Sequence, residues 1–207
     1  GRFGAVRMLH AMQYTDFLYR PRRPEELDTA QGGGVVFSQA AHQIDVVRLL
    51  AGGRVRSVYA RTGQWDTQRP TEGAYSALLD FEDGAFASVS YNGYGYYDSD
   101  ALMDGIGELG RHKSSDTHRQ TRARWREADE ARESARKARR NYGGPDYVAA
   151  LDETPDAFQH FGPVWVSGER GDLRLTPRGV ELHDDQGPRL IEAPAQTVPR
   201  AEVIDEL

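Results

Sequence analysis

Short runs of alternating apolar and polar residues, separated by turn residues, restrict the fold of this chain more than any other feature. Residues 74–81 (AYSALLDF) and 85–97 (AFASVSYNGYGYY) are two such runs around the turn EDG, a pattern typical of a β-hairpin. Further runs lie at 3–14, 54–65, 164–167, 172–176 and 180–184, and the run at 54–65 alternates like a half-buried strand. Short strands with brief glycine-containing connections predict a mostly antiparallel sheet.

One segment follows helical spacing instead. Between residues 36 and 50 the apolar side chains recur at the spacing of one helix face, and Ala51-Gly52-Gly53 follows as a typical helix end. These apolar positions are Val36, Ala40, Ile44, Val47 and Leu50. The sequence therefore predicts an α+β fold, in which an open, mostly antiparallel sheet carries helices on one face.

Residues 111–141 differ in composition from the alternating segments on either side and predict a charged helical insertion. The stretch RQTRARWREADEARESARKARR is rich in alanine, arginine and glutamate, which form helices readily, and Glu133 and Lys137 are spaced for an ion pair. Its apolar positions are almost all alanine, so that it buries little surface. We expect a solvated helix or a partly ordered insertion; a basic arm for nucleic acid or an acidic partner is the alternative.

Size and charge exclude several classes of protein. The 207 residues include no cysteine, and 26 basic against 32 acidic side chains give a net charge of −6, which argues against general affinity for nucleic acid. No apolar run approaches the ~18 residues that a membrane span requires, and there is no signal-peptide pattern. The absence of cysteine excludes disulfides and fits a reducing compartment. We expect one cytoplasmic domain over residues 1–207 that binds neither nucleic acid nor membranes.

Two possible cofactor or metal motifs carry little weight. The run GIGELG at residues 105–110 matches the dinucleotide fingerprint G-x-G-x-x-G, but that fingerprint requires a buried strand before it and a helix packed on the sheet after it. The preceding residues are polar and rich in tyrosine, so we expect a glycine-rich turn and no cofactor-binding residue in this chain. The six histidines show no ligand spacing, which predicts no metal site.

Two segments contain candidate binding residues. Arg20, Arg22 and Arg23 lie within four residues, and guanidinium groups bind carboxylates or phosphate in bidentate fashion. This cluster either binds an anionic substrate or pairs with acidic side chains of its own surface loop. Residues 65–73 (WDTQRPTEG), with Trp65 and Arg69, have the amphipathic character of a loop that lines a pocket, although a turn at the sheet edge fits them equally well.

The run GGGVVFSQAAHQIDVVRLLAG, which begins at residue 32, resembles a known family. It is similar to the glycine-rich start and first helix of the C-terminal domain in the glucose–fructose oxidoreductase/inositol dehydrogenase (Gfo/Idh/MocA) family, whose pattern is GG-G-x-x-x-D-x-G-x-H-x-x-D. The runs TDFLYRPRRPEEL, WDTQRPTEGAYSALLDFEDGAFASVSYNGYG and PRAEVIDEL are similar to the subgroup of phthalate cis-dihydrodiol (4,5-dihydroxyphthalate) dehydrogenases. The resemblance implies an oxidoreductase with an N-terminal Rossmann domain and a C-terminal substrate domain.

The same resemblance suggests how this chain is organised. It has no credible Rossmann unit and no E-K-P run, which supplies the catalytic lysine in the family, and it stops where relatives continue into a final helix. We therefore expect a single substrate-binding and oligomerisation domain that is inactive alone. Its expected partners are a small-molecule substrate and further copies of itself, joined through the sheet. The cofactor, NAD or NADP, is expected to be bound mainly by the absent N-terminal domain.

His42 falls on the pocket histidine of the family, which makes it the predicted catalytic residue. A neutral imidazole can accept the hydroxyl proton of a diol when hydride leaves the carbon. Asp45, one helical turn later, either fixes the imidazole tautomer or is a surface acid. Many family members have an aspartate at the position of Ser38 and a glycine at that of Ala40, so that the usual lysine–aspartate–histidine arrangement is altered here.

The predicted function combines these residues. Substrate contacts are assigned to Arg20, Arg22, Arg23, Gln39, Asp45, Trp65 and Arg69. The reaction is the dehydrogenation of a cyclic cis-diol, such as an aromatic dicarboxylate dihydrodiol, whose gain of aromaticity reduces the need for a base. The alternative, which Ser38 favours, is a non-catalytic domain of the same fold that serves assembly or binds a sugar-like ligand.

Overall fold

The computed structural model describes residues 3–147, 155–158 and 160–194, so that the run PRAEVIDEL lies outside the described residues. The helices are α1 (Ala41–Ala51), α2 (Thr117–Arg126) and α3 (Glu130–Arg140). The strands are β1 (Val6–Tyr14), β2 (Val55–Gly63), β3 (Ala74–Phe81), β4 (Phe86–Asn92), β5 (Val164–Gly168), β6 (Gly171–Thr176), β7 (Gly179–Asp184) and β8 (Gly187–Glu192). None of these helices is long and apolar enough to cross a bilayer.

The eight strands form one sheet in the order β2-β3-β4-β1-β5-β6-β7-β8. Neighbouring strands are antiparallel, except that β1 and β4 run parallel, with Met8 opposite Phe86. The predicted mostly antiparallel sheet and the α+β fold are therefore confirmed. The alternation did not predict β8, which starts at Gly187-Pro188; a proline is tolerated there because it lies at the start of an edge strand.

The core lies between α1 and one face of the sheet. Leu9 of β1, Leu79 of β3 and Val89 of β4 alternate with more exposed neighbours and are almost completely buried, as the two-residue period of a strand requires. Val47 of α1 is buried against this face, and α1 contacts β1 and β4. The helix therefore positions its first turn above the centre of the sheet.

The start of the predicted helix differs from expectation. Residues Val36–Ala40 form a π-helical turn, and the regular helix begins only at Ala41. The wider turn changes the angular phase of the side chains, and Val36, predicted to be buried, is 40% exposed. At the other end, Gly52 takes a left-handed conformation (φ 73°), and its N–H closes the last turn on Arg48.

The prediction of a half-buried strand at 54–65 is wrong for this chain. β2 is the edge strand beyond the region that α1 covers, and side chains on both of its faces, such as Val58 and Tyr59, are exposed. The alternation of apolar and polar residues predicts a strand, but the burial of that strand depends on what packs against it.

The insertion forms helices as predicted, and most of its described side chains are exposed, but one part of each helix is buried. His118, Thr121 and Arg122 of α2 are buried, as is Glu133 of α3. The expected Glu133–Lys137 pair is replaced by longer-range contacts, because Glu133 binds Arg69 and Lys137 lies 3.3 Å from Glu26. The alanines bury little surface, and polar side chains dock these helices instead.

Candidate substrate site

Three glycines allow the backbone to fold tightly before α1. Gly33 donates its N–H to Asp28 and Gly34 donates to Glu26, and a Cβ on Gly33 would lie 2.6 Å from the Glu26 carbonyl oxygen. Gly34 has φ 88° and faces the Glu72 carboxylate. Because only glycine combines that conformation with such close approach, the run Gly32–Gly34 fixes where the helix starts.

His42 projects from the first turn of α1 into solvent at the edge of a cavity of about 490 Å³. Its ring centroid lies 5.0 Å from that of Phe161. Ala11, Val164 and Leu175 supply apolar walls, and His160 lies at the same cavity. An exposed imidazole beside a cavity of this size is placed to exchange a proton with a bound molecule.

The neighbours that the sequence assigned to His42 make other contacts. The Asp45 carboxylate accepts from Arg48 Nη1 at 3.5 Å, and no hydrogen bond joins it to His42 within the described part of the chain. Ser38 donates its hydroxyl to the Gly34 carbonyl, so this side chain closes the π-helical turn. Gln39 is half-buried in the same turn. Their roles toward a substrate stay predictions.

The run GIGELG forms a wall between two cavities. Gly107 donates its N–H to Arg111, and Ile106 forms a bridge with His112, while the residues before it form the 3-10 turn Ser99–Met103. The predicted glycine-rich turn is confirmed, because the strand–turn–helix context of a dinucleotide fingerprint is replaced by a tight loop. Glu108 and Leu109 line both the cavity of His42 and a second cavity of about 560 Å³.

Arg20 connects the β1–α1 segment to this wall. Its Nε donates to Asp16 Oδ1 at 2.8 Å and its Nη1 to Glu108 Oε1 at 2.7 Å. Burial raises the pKa of Asp16, but the charge and hydrogen bond of Arg20 outweigh it, so that the pKa is lowered overall. Arg20 lines the second cavity with both of its acidic partners.

The other arginines of the predicted cluster also pair with their own chain. Arg22 is buried over the Phe17 ring, at 3.6 Å from the ring centroid, and donates to the Phe17 carbonyl. Burial lowers the pKa of Arg22 to about 10. The exposed Arg23 lies 3.2 Å from Glu25. The geometry favours internal pairing of this cluster; binding of a substrate by Arg22 or Arg23 stays a prediction.

Arg69 and Trp65 occupy different surroundings, although they lie in one predicted segment. Arg69 is 2% exposed, and its Nη2 lies 2.8 Å from Glu133 Oε1. Trp65 is exposed and lies against Tyr94, with 4.3 Å between the ring centroids. Arg69 lines a third cavity with Arg22 and Trp125, whereas Trp65 borders none of the three cavities described here.

The sequence did not single out the residues of the insertion that line the 560 Å³ cavity. Arg124 and Trp125 come from α2 and Arg136 from α3. Trp125 packs on Tyr19, with 4.9 Å between the ring centroids. The one signal available was this single tryptophan in a helix whose other residues are polar or charged, apart from one alanine, because a large aromatic side chain rarely stays in solvent.

His118 is the buried titratable group through which we expect pH to affect the docking of the insertion. Its ring is buried, with Nε2 3.2 Å from Asp98 Oδ2 and 3.9 Å from Asp16 Oδ1. Burial lowers the pKa of His118 against the opposite effect of the two carboxylates, and Lys113 and Arg20 lower it further. Between the lowered pKa of the folded state and about pH 6.5, the unfolded chain therefore binds a proton that the folded chain does not.

We expect the free energy of unfolding to be highest above neutral pH and to decrease as the pH falls from 7.5 to 5.5. The His118 contribution is about 1.4 kcal/mol for each unit by which folding lowers the pKa. Urea titrations at both pH values measure it, and His118→Gln is expected to flatten the dependence. An unchanged pH dependence in that variant would contradict the assignment.

Comparison with known proteins finds a matching family model and a similar dehydrogenase. A family model described as the GFO/IDH/MocA C-terminal domain matches residues 1–113. The 1-carboxy-3-chloro-3,4-dihydroxycyclohexa-1,5-diene dehydrogenase of Comamonas testosteroni is 44% identical over 208 aligned residues, which cover 100% of this chain and 52% of the relative.

Solved structures agree with that relationship. A protein of Bordetella bronchiseptica RB50, provisionally assigned as a dehydrogenase, has 42% identity and a TM-score of 0.89 over 100% of this chain and 53% of its own. An oxidoreductase of Sinorhizobium meliloti shares the fold at 14% identity, with a TM-score of 0.52 over 95% of this chain and 38% of its own. The chain thus spans about half the length of the Comamonas testosteroni and Bordetella bronchiseptica relatives.

Proposed function

The chain belongs to the GFO/IDH/MocA family as a C-terminal domain, and on that premise we propose that the full-length protein is an NAD(P)-dependent dehydrogenase of a carboxylated cyclic cis-diol. The sequence prediction of this family is confirmed. The observation that carries the proposal is the 44% identity, over the whole chain, to a dehydrogenase whose name describes a carboxylated cyclohexadiene diol. This chain is the proposed substrate domain, and the cytoplasm is the proposed location.

We assign His42 the role of proton acceptor. Its imidazole is exposed at the edge of a cavity with apolar walls, so that a ring can lie against Val164 and Leu175 while a hydroxyl faces the histidine. When the carbinol carbon loses hydride, the hydroxyl proton passes to the imidazole. Ser38 is engaged with the Gly34 carbonyl and offers no carboxylate. Asp45, the other acid–base group that α1 brings to this cavity, lies 3.5 Å from Arg48 Nη1, so that we assign the role of base to the imidazole of His42.

NAD or NADP is proposed to bind mainly to an N-terminal domain of the full-length protein. The glycines of residues 105–110 do not fit a pyrophosphate cradle, because they form a loop and a β-bridge rather than the start of a helix. When bound, the nicotinamide of this cofactor would accept the hydride. This chain supplies the substrate cavity and the proton acceptor.

A direct assay tests the proposed function. The purified full-length protein is incubated with NAD or NADP and either a carboxylated cis-dihydrodiol, such as that of benzoate or phthalate, or the uncarboxylated benzene cis-dihydrodiol. Reduced nicotinamide and a catechol are expected, with the carboxylated diols preferred. Absence of turnover with every diol would contradict the proposal.

We further propose that copies of the protein associate through the open face of the sheet. Met8, Tyr59, Leu78 and Phe86 lie on the face opposite α1, and Leu78 and Phe86 are 55% and 47% exposed. Exposed apolar side chains grouped on one face of a sheet are typical of an interface between identical subunits.

Leu78→Glu combined with Phe86→Glu is expected to convert the assembly into monomers, because two charges on each copy would be buried without partners. Light scattering after size-exclusion chromatography measures the mass. Leu49→Glu, at a position of α1 that is 80% exposed, is the control and is expected to leave the mass unchanged. An unaltered mass in the double variant would place the interface elsewhere.

A further inference from the structure

The cavity of about 560 Å³ is built largely by the insertion and carries excess positive charge. Its lining includes Arg124 and Trp125 of α2, Arg136 of α3, and Pro21 and Leu109 from facing loops. Cationic side chains outnumber acidic ones in this lining, although the whole chain carries a net charge of −6. The cavity is therefore an electropositive site on an acidic protein.

Three of the cationic side chains around the cavity are already neutralised by acidic neighbours. Arg20 binds Asp16 and Glu108, Lys113 lies 2.7 Å from both Asp98 and Asp100, and Arg139 binds Asp146. These groups hold the walls together, so their charge is not available to a ligand.

Arg124 and Arg136 are different. Both line the cavity, both side chains are exposed, and among the described residues neither has an acidic partner or a ring contact. An unpaired guanidinium offers a planar pair of N–H donors that matches a carboxylate. Two of them, one from each helix of the insertion, therefore face a single cavity.

The apolar side chains of the cavity indicate that the anionic group of the ligand is attached to a ring. Trp125 and Tyr19 pack on each other in the lining, and Pro21 and Leu109 lie in the same lining. These side chains suit a planar ring better than a phosphate group, which has no apolar surface. Leu109 and Glu108 also line the cavity of His42, so that the two cavities share a wall.

We propose that Arg124 and Arg136 bind the carboxylate of an aromatic acid in the 560 Å³ cavity, which Glu108 and Leu109 separate from the cavity of His42. This inference goes beyond the proposed function, because the site is an anion-binding site apart from the reacting diol and does not use the cluster at residues 20–23. The arginines of the loop keep a structural role, since their guanidinium groups are bound to acidic side chains or to the Phe17 carbonyl.

Calorimetric titration of the full-length protein with benzoate and phthalate at low salt tests the site without requiring turnover. In Arg124→Gln/Arg136→Gln the affinity is expected to fall about 10- to 100-fold, because charge-assisted hydrogen bonds are lost. The matched control is Arg119→Gln/Arg132→Gln, which removes the same charge from the same two helices outside the cavity. Its affinity is expected to equal that of the wild type.

Benzamide, the neutral isostere, is expected to bind at least tenfold more weakly than benzoate, and inorganic phosphate more weakly still. Equal losses in both double variants, equal affinity for benzamide, tighter binding of phosphate, or no binding of either carboxylate would overturn the proposal. Failure of the dehydrogenase assay with retained, arginine-dependent carboxylate binding would instead contradict the proposed function alone.

Discussion

Replacing His42 with alanine is expected to lower the kcat of the proposed dehydrogenase reaction of the full-length protein by about 10²–10⁴-fold, the range typical of a lost general base. The side chain is exposed on the first turn of α1 and contacts Phe161, so its removal should leave the thermal unfolding midpoint nearly unchanged. Steady-state kinetics with each cofactor, together with thermal unfolding, separate the two effects.

A second histidine provides the control for this experiment. His183 is exposed on β7, 3.3 Å from Glu181 and outside the cavities described here. His183→Ala is expected to keep wild-type kcat. Wild-type turnover of every accepted diol by His42→Ala would contradict the catalytic role and favour the non-catalytic alternative that Ser38 suggests.

The largest expected effect on stability comes from Glu133→Ala. Glu133 accepts the backbone N–H of Arg22 at 2.7 Å and pairs with the buried Arg69 at 2.8 Å. Its removal leaves a buried guanidinium and a buried amide without this partner, which typically costs about 3–5 kcal/mol. Urea unfolding and hydrogen exchange of the amides around residue 22 measure the loss.

Two further variants make this test specific. Glu127→Ala removes an exposed carboxylate just beyond α2 and is expected to change stability by less than about 0.5 kcal/mol. The double variant Glu133→Leu/Arg69→Met replaces the pair with apolar groups and is expected to recover much of the loss. A Glu133→Ala protein as stable as the wild type would show that the insertion docks by other contacts.

The local elements of this fold could be predicted from the sequence because their signals are local. The hairpin β3–β4 follows from alternation around a glycine turn, and α1 follows from helical spacing that ends at Gly52. The central position of β1 could not be predicted in this way. It pairs with β4 and β5, whose residues lie far away along the chain, and single-sequence patterns carry no information on such partners.

The same distinction between local and distant signals applies to the residues of the candidate site. His42 could be identified because the glycine run and the histidine lie within one short motif. The Arg69–Glu133 pair joins residues 64 positions apart, and Arg124 faces its cavity only once the insertion has docked. The arginines at residues 20–23 were conspicuous in the sequence because they are clustered, yet the structure pairs Arg20 and Arg23 with acidic side chains and Arg22 with a backbone carbonyl.

The most direct test of the proposed function follows the hydrogen that is transferred. The full-length protein is given NAD or NADP and a carboxylated cis-dihydrodiol that is deuterated at its carbinol carbons, and both products are analysed by mass spectrometry. We predict one deuterium in the reduced nicotinamide, a catechol carboxylate that has lost its second carbinol deuterium to solvent, and a rate that depends on His42. Recovery of unchanged diol with no deuterated nicotinamide would contradict the account.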